Sequence, residues 1–191
     1  MRLADGRSEA EQLLRDAGAL LVDGHFQLTS GKHSPVYVEK FRVLEQPAQT
    51  EALCRTIAGW ARQLEPSVVA GPTTGGIIIS YEVARLLGVR GIFAEPADGG
   101  GRAFGRGFTI APGERTLVVD DVLTTGGSVR EVLDAIRLMG GEVAGVAVLI
   151  DRTGGKAHFG APFFACLTLD LETYDPADCP LCADNIPLKI T

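Results

Sequence analysis

Apolar residues along this chain recur at two spacings, and the two alternate. Leu13, Leu14, Ala17, Leu20 and Leu21 repeat at helical spacing behind Ser8 and Glu11, a hydroxyl and a carboxylate set as a capping box. The spacing predicts a first helix over roughly 9–22. "VYVEKFRV" at 36–43 alternates and reads as a strand. "AQTEALCRTIAGWARQL" at 48–64 places Leu53, Ile57, Trp60, Ala61 and Leu64 on one helical face, and "SVVAG" at 67–71 is a short apolar strand. A helix follows at 77–88, closed by Gly88, because glycine relieves the left-handed turn at a helix end. Strands are expected at 90–95, 116–121, 143–151 and 163–170, with a helix at 130–141.

Strand and helix in alternation build an α/β fold, a central parallel sheet flanked by helices. Its strands should be continuous apolar runs, since both faces are covered, and these strands are. The chain of 191 residues fits one domain, with no repeat or long linker. "EPADGGGRAFGRG" at 95–107 reads as a mobile loop, and "DLETYDPADCPLCADNIPLKIT" at 170–191 as an irregular surface wrap.

Composition narrows the function classes. A net charge of -6 argues against nucleic acid as partner. "MRLADGRSEAEQ" carries charge from its second residue and is not a signal peptide, and "VAGVAVLI" at 143–150 is too short to cross a bilayer. Four unevenly spaced cysteines do not form a disulfide framework, so a cytoplasmic protein without membrane contact is expected. "CPLC" at 179–182 has the spacing of a metal knuckle, but it is half a zinc site and no second knuckle appears.

The chemistry concentrates in "TLVVDDVLTTGGSV" at 116–129. Asp120 and Asp121 end an apolar strand, where ligands bind in parallel sheets. The turn that follows opens a helix, and Ser128 with Glu131 reads as its capping box. Free N–H groups at a helix start attract phosphate. Gly126 and Gly127 permit close approach, while Thr124, Thr125 and Ser128 add hydroxyl donors. The carboxylates cannot want a phosphate, but they accept well from sugar hydroxyls. A sugar phosphate satisfies both. The turn is not a Walker A loop, because no lysine follows its glycines, nor the dinucleotide fingerprint. Acid pairs of receiver domains stand on the first strand instead.

"VVDDVLTTGGS" resembles the phosphoribosyl diphosphate (PRPP) signature of type I phosphoribosyltransferases. "FQLTSGKHSPVYV" at 26–38 resembles the N-terminal segment by which the orotate phosphoribosyltransferase family encloses its base. "VAGPTTGGI" at 69–77 stands where that family binds diphosphate, and "LIDRTGG" at 149–155 where an arginine meets orotate. The resemblance covers nearly the whole chain. It implies the type I phosphoribosyltransferase fold as a single domain over 1–191, with an N-terminal hood formed by about 1–45 and the C-terminal segment, and a core of about 46–170. It implies transfer of phosphoribosyl from PRPP to orotate in pyrimidine (UMP) synthesis. Mg²⁺ would be the cofactor, held mainly by PRPP and water and not by a protein ligand set.

By the same resemblance Asp120 and Asp121 hold the ribose hydroxyls during catalysis. Thr73, Thr74, Gly75, Thr124, Thr125, Gly126, Gly127 and Ser128 bind PRPP. Arg152, Lys32, Phe26, Ser30 and Thr124 enclose orotate, and His33 is a further candidate for base or diphosphate. A homodimer is implied, the mobile loop of one subunit closing over the site of the other. The chain departs from the family in places. Its loop lacks the usual lysine and histidine, leaving Arg102 and Arg106 as the loop's cations, and Glu95-Pro96 replaces Arg-Lys. Gly75 and Thr29 stand where lysines are common. The alternatives are transfer to a purine or uracil, or a non-catalytic regulator that binds PRPP or nucleotide. His25 and His158 read as structural.

Overall fold

In the computed structural model, which describes residues 8–28 and 30–190, the apolar runs pair into one six-stranded sheet. The start of the expected hood, residues 1–7, lies outside the described residues, as do Thr29 and Thr191. The sheet comprises β5 (Val68–Pro72), β6 (Arg90–Pro96), β7 (Arg102–Ala103), β8 (Arg115–Leu123), β9 (Glu142–Asp151) and β10 (Phe163–Thr168). Their order is β10-β9-β8-β5-β6-β7, all parallel except β7. From β5 the chain runs to β6 on one side, then returns to place β8 on the other. That reversal opens a crevice at the carboxyl ends of β5 and β8.

Helix α1 (Glu9–Asp16), α3 (Pro47–Ala61) and α4 (Gly75–Leu87) cover one face, and α5 (Gly127–Leu138) covers the other. The pleat of β8 sorts its side chains accordingly. Leu117 and Val119 join Leu53, Ile57, Ile79 and Val83 in one core, while Val118 joins Val132, Leu133 and Ile136 in the second. Asp120 and Asp121 continue this alternation to the strand's end.

Several expectations are corrected at the N-terminal side. The first helix stops at Asp16 because Gly18 adopts φ 69°. The residues beyond it become β1 (Leu20–Leu21). The expected strand at 36–43 is only β4 (Tyr37–Val38), paired antiparallel with β1. The Glu39 carboxylate accepts the Phe41 N–H at 3.1 Å and starts a short helix, α2 (Lys40–Leu44), so capping overrides the alternation. A small three-stranded sheet joins β2 (Phe26–Gln27), β3 (His33–Ser34) and β11 (Lys189–Ile190). The segment expected as a loop at 95–107 begins as a hairpin, β7 folding back on β6 with Glu95 opposite Ala103 and Pro96 opposite Arg102. No helix among the described residues is long and apolar enough to cross a membrane.

Candidate active site

A cleft of about 450 Å³ opens at the crevice between β5 and β8. Asp120, Asp121, Thr124 and Ser128 line it from β8 and the turn beyond, Thr73, Thr74 and Gly75 from the turn after β5. The Thr73–Thr74 peptide is cis. Tyr37, Lys40 and Phe41 close it from the hood side, and Arg152, just past β9, stands at its end.

The two acids have separate partners. Asp121 is 2% exposed. Its Oδ1 accepts from Lys40 Nζ at 3.0 Å and from the Val122 N–H at 2.6 Å. Its Oδ2 lies 2.9 Å from the same ammonium but off hydrogen-bonding geometry, and so remains an open acceptor. A Cβ on Gly75 would fall 1.7 Å from that oxygen. A side chain at position 75 therefore cannot coexist with Asp121 as placed, and the chain carries glycine there. The cation beside Asp121 comes instead from Lys40. The sequence pattern hides Lys40 because alternation assigns that residue to a strand.

Asp120 Oδ1 accepts from the Asp121 N–H at 2.8 Å. Burial, and secondarily the charge of Asp121, push its carboxyl up to about 7 from 3.8, against the pull of that N–H, Lys40 and Arg102. Next to Asp120 the turn at 122–129 encloses a smaller hollow of about 50 Å³. Helix α5 begins at Gly127, with Gly126 at φ 79° as its N-cap and no side-chain cap bond. The expected capping box of Ser128 and Glu131 is thus corrected. Both residues lie inside the helix and face Arg102, the Gly127 N–H meets Thr125 Oγ1 at 3.4 Å, and no side chain of the N-cap takes the first-turn N–H groups that follow.

Arg102 reaches in from β7. Its guanidinium donates to Thr73 Oγ1 at 3.0 Å, to the Ala94 carbonyl at 3.3 Å and to Ser128 Oγ at 3.5 Å. Its Nε stands 3.3 Å from Glu131 Oε2, near enough for charge pairing although off the line of a hydrogen bond. Arg106 behaves differently: it is exposed, pairs with Glu95 at 2.8 Å and does not line the cleft. Arg152 has no carboxylate partner among the described residues, and its Nε is buried without a hydrogen bond. Burial holds its guanidinium below its usual value. Asp151, the acid nearest in sequence, is spent on the Thr153 and Gly155 N–H groups at 2.8 and 3.0 Å, which shape the turn carrying Arg152.

Comparison with known proteins decides the family. The phosphoribosyl transferase domain model matches residues 43–178. The orotate phosphoribosyltransferase of Pelotomaculum thermopropionicum is 51% identical over 95% of this chain and 94% of its own length. That of Thermotoga petrophila is 46% identical over 94% and 95%. The chain belongs to the orotate phosphoribosyltransferase family. Among solved structures, the family's enzyme from Aeropyrum pernix is 29% identical with a TM-score of 0.65, covering 83% of this chain and 92% of that one. The one from Mycobacterium tuberculosis, in complex with inorganic phosphate, is 26% identical with a TM-score of 0.66, covering 84% and 95%.

Of the residues expected to enclose orotate, the structure brings Arg152 and Thr124 to the cleft and leaves three outside its lining. Phe26 is buried and stacks on Tyr37 with ring centroids 5.7 Å apart, so it backs the cleft wall. Lys32 pairs with Asp175 at 3.5 Å, and Ser30 is exposed. His33 is turned away toward His25. Tyr37 and Phe41, not singled out in the sequence, take the hood's place at the cleft.

Proposed function

We propose that this cleft transfers the 5-phosphoribosyl group of PRPP to N1 of orotate, releasing diphosphate and orotidine 5-monophosphate. The observation that carries the reading is the meeting, in one cleft, of a helix start without a side-chain cap, two acids near a strand end and a half-buried arginine whose Nε has no hydrogen bond. The 5-phosphate takes the turn at 124–128. The ribose hydroxyls donate to Asp120 and to Asp121 Oδ2. These carboxylates favour the positive charge that develops on the ring as diphosphate departs, and stabilisation of developing charge is usually the largest catalytic contribution. Arg102, between Thr73 and Ser128, is the cation for the leaving group. Arg152 faces the carboxylate or carbonyl edge of orotate, which a planar guanidinium suits.

Mg²⁺ fits this donor set in part. Asp120, Asp121, Thr73 and Thr124 offer hard oxygen ligands, but the Lys40 ammonium already occupies Asp121. The ion would therefore be held mainly by the diphosphate and water, and would supply positive charge to the leaving group. For the assembly, exposed Phe41 on α2 and Ile78 and Tyr81 on α4 offer an apolar face to a second copy. We place a homodimer there, with the hairpin at 95–107 closing over the partner's cleft. For this, Arg102 must leave its own Thr73 and Glu131. All four cysteines are free, in keeping with a cytoplasmic setting.

The test is incubation with Mg²⁺, PRPP and each of orotate, uracil, adenine, hypoxanthine and xanthine. Only orotate should give nucleotide at a substantial rate. Equal or better turnover of adenine or xanthine overturns the orotate assignment, and no turnover of any base leaves a PRPP-binding regulator.

A further inference from the structure

Where the hood meets the C-terminal segment, four side chains distant in sequence converge. His25 immediately precedes β2, His33 opens β3, Cys179 is the N-cap of the single turn α6 (Pro180–Ala183), and Cys182 lies within it. One donor atom from each lies within 4.8 Å of all the others. His25 Nε2 is 2.9 Å from His33 Nδ1, 3.6 Å from Cys179 Sγ and 3.7 Å from Cys182 Sγ, and Cys182 Sγ is 3.4 Å from His33 Nδ1. Donors held about 2.0–2.3 Å from a tetrahedral zinc stand about 3.3–3.8 Å from one another. The sulfur–nitrogen separations have that value, and the nitrogen pair is slightly closer.

Proton positions favour a cation as well. His25 Nδ1 lies 2.8 Å from the Ile186 carbonyl, which can only accept, so Nδ1 carries the proton and Nε2 presents its lone pair to the cluster. A carbonyl that fixes the tautomer of a ligating histidine is the usual outer partner of a metal site. Without a metal, the His33 N–H and both thiols would converge on that one lone pair. A single cation takes all four lone pairs at once. Two sulfurs and two imidazoles in tetrahedral array select zinc, and four protein ligands leave no open position for catalysis.

The surroundings give such a clip a purpose. Beyond Leu169, which packs on the core, Cys179 alone is buried up to residue 190, and Ile190 is 83% exposed, so little apolar packing holds this segment. Its other ties to the hood are polar and largely exposed: the His33–Tyr174 bridge, Ser34 Oγ to the Glu172 carbonyl, β11 against β2, the Lys32–Asp175 pair, and Lys189 over the Phe26 ring. We propose that His25, His33, Cys179 and Cys182 form a structural zinc site that fastens the C-terminal segment to the hood.

Metal analysis of the full chain, purified without chelator, should find about one zinc per chain. Zinc should be released as a mercurial titrates Cys179 and Cys182. Cobalt exchanged into the same protein should show the intense visible absorption of a tetrahedral site and a thiolate-to-cobalt charge-transfer band. A zinc-selective chelator should lower Tm by several degrees, reversed by zinc, with Mg²⁺ kept in excess. Cys182→Ser and His25→Ala should lose the metal. Zinc-free protein whose Tm ignores both chelator and added zinc, a cobalt spectrum without thiolate bands, or a Cys179–Cys182 disulfide in the native chain each overturns the site. The cobalt spectrum decides the matter on the unaltered chain even if a variant fails to fold.

Discussion

On one side of the cleft, Asp120 and Asp121 stand on a nine-residue strand paired along both edges and buried through most of its length. On the other side, Tyr37 stands on a two-residue strand of a two-stranded sheet. Each fully buried Leu or Val in the sheet contributes roughly 1.5–3 kcal/mol, and many act together, so the acids are held by the core. The hood buries Leu14, Leu20, Val38 and Val43 against that core, but its strands are two residues long, and its tie to the C-terminal segment rests on backbone pairing, an exposed ion pair and the His–Cys cluster. The ribose side should therefore tolerate substitution without loss of fold and lose rate directly. The base side should lose fit first.

The sharpest way to break this contrast is on the strand. Asp121→Asn and Asp120→Asn should each cut kcat by at least about tenfold, because each removes stabilisation that grows toward the transition state. The circular dichroism spectrum should be unchanged. Wild-type kcat and KM in both variants would remove the ribose assignment. On the base side, Arg152→Ala should raise the orotate KM about tenfold while the PRPP KM stays within about twofold. Equal rises in both constants would place Arg152 outside the orotate subsite.

The two loop arginines repeat the comparison on a smaller scale. Arg102 is buried against ligand-facing hydroxyls, and Arg106 is paired in solvent. Arg102→Ala should lower kcat by about threefold to tenfold, and Arg106→Ala by less than about twofold. Mixing Asp121→Asn subunits with Arg102→Ala subunits tests the shared loop. In a shared-site heterodimer one site carries both lesions and the other neither, so activity should return. Subunit exchange without recovery would mean that Arg102 serves its own chain, as its present contacts have it.

The mildest effect is in pH. Asp120 ionises near 7 and must be ionised to accept from ribose, so kcat/KM for PRPP should fall as pH drops through about 7. Stability runs the other way. The folded value lies above the unfolded one, so the contribution is whole below the ordinary value of 3.8 and is lost as pH rises through about 7. The unliganded Asp120→Asn variant should lack this loss and gain on wild type as pH rises from about 4 to about 7, by on the order of 2–4 kcal/mol at most, and keep that gain at higher pH. Parallel stability–pH curves for the two proteins would show that Asp120 is not perturbed by its burial.

Much of the core was legible along the chain. The runs at 67–71, 116–121 and 143–151 are apolar because both sheet faces are covered, and each lies within a strand or within a residue of one. The acid pair and the turn at 124–128 could be read because strand end, ligand groups and helix start are contiguous. The hood was read poorly for the converse reason. Gly18 ends the first helix through a positive φ that helical spacing does not signal, and Glu39 starts a helix inside an alternating run.

By itself the sequence determined the layered α/β architecture, the pair of acids near a strand end with the turn and helix start that follow, and the close spacing of Cys179 and Cys182, all carried by residues close together in the chain. Only the tertiary structure decided that Lys40 rather than a residue at 75 meets Asp121, that Arg102 and not Arg106 bonds to the cleft-lining Thr73 and Ser128, and that His25 and His33 meet the cysteine pair. Those pairings join residues far apart in sequence. They exist because burial of the two cores sets the positions of strands and helices, and periodicity reports which face a side chain takes but not what waits opposite it.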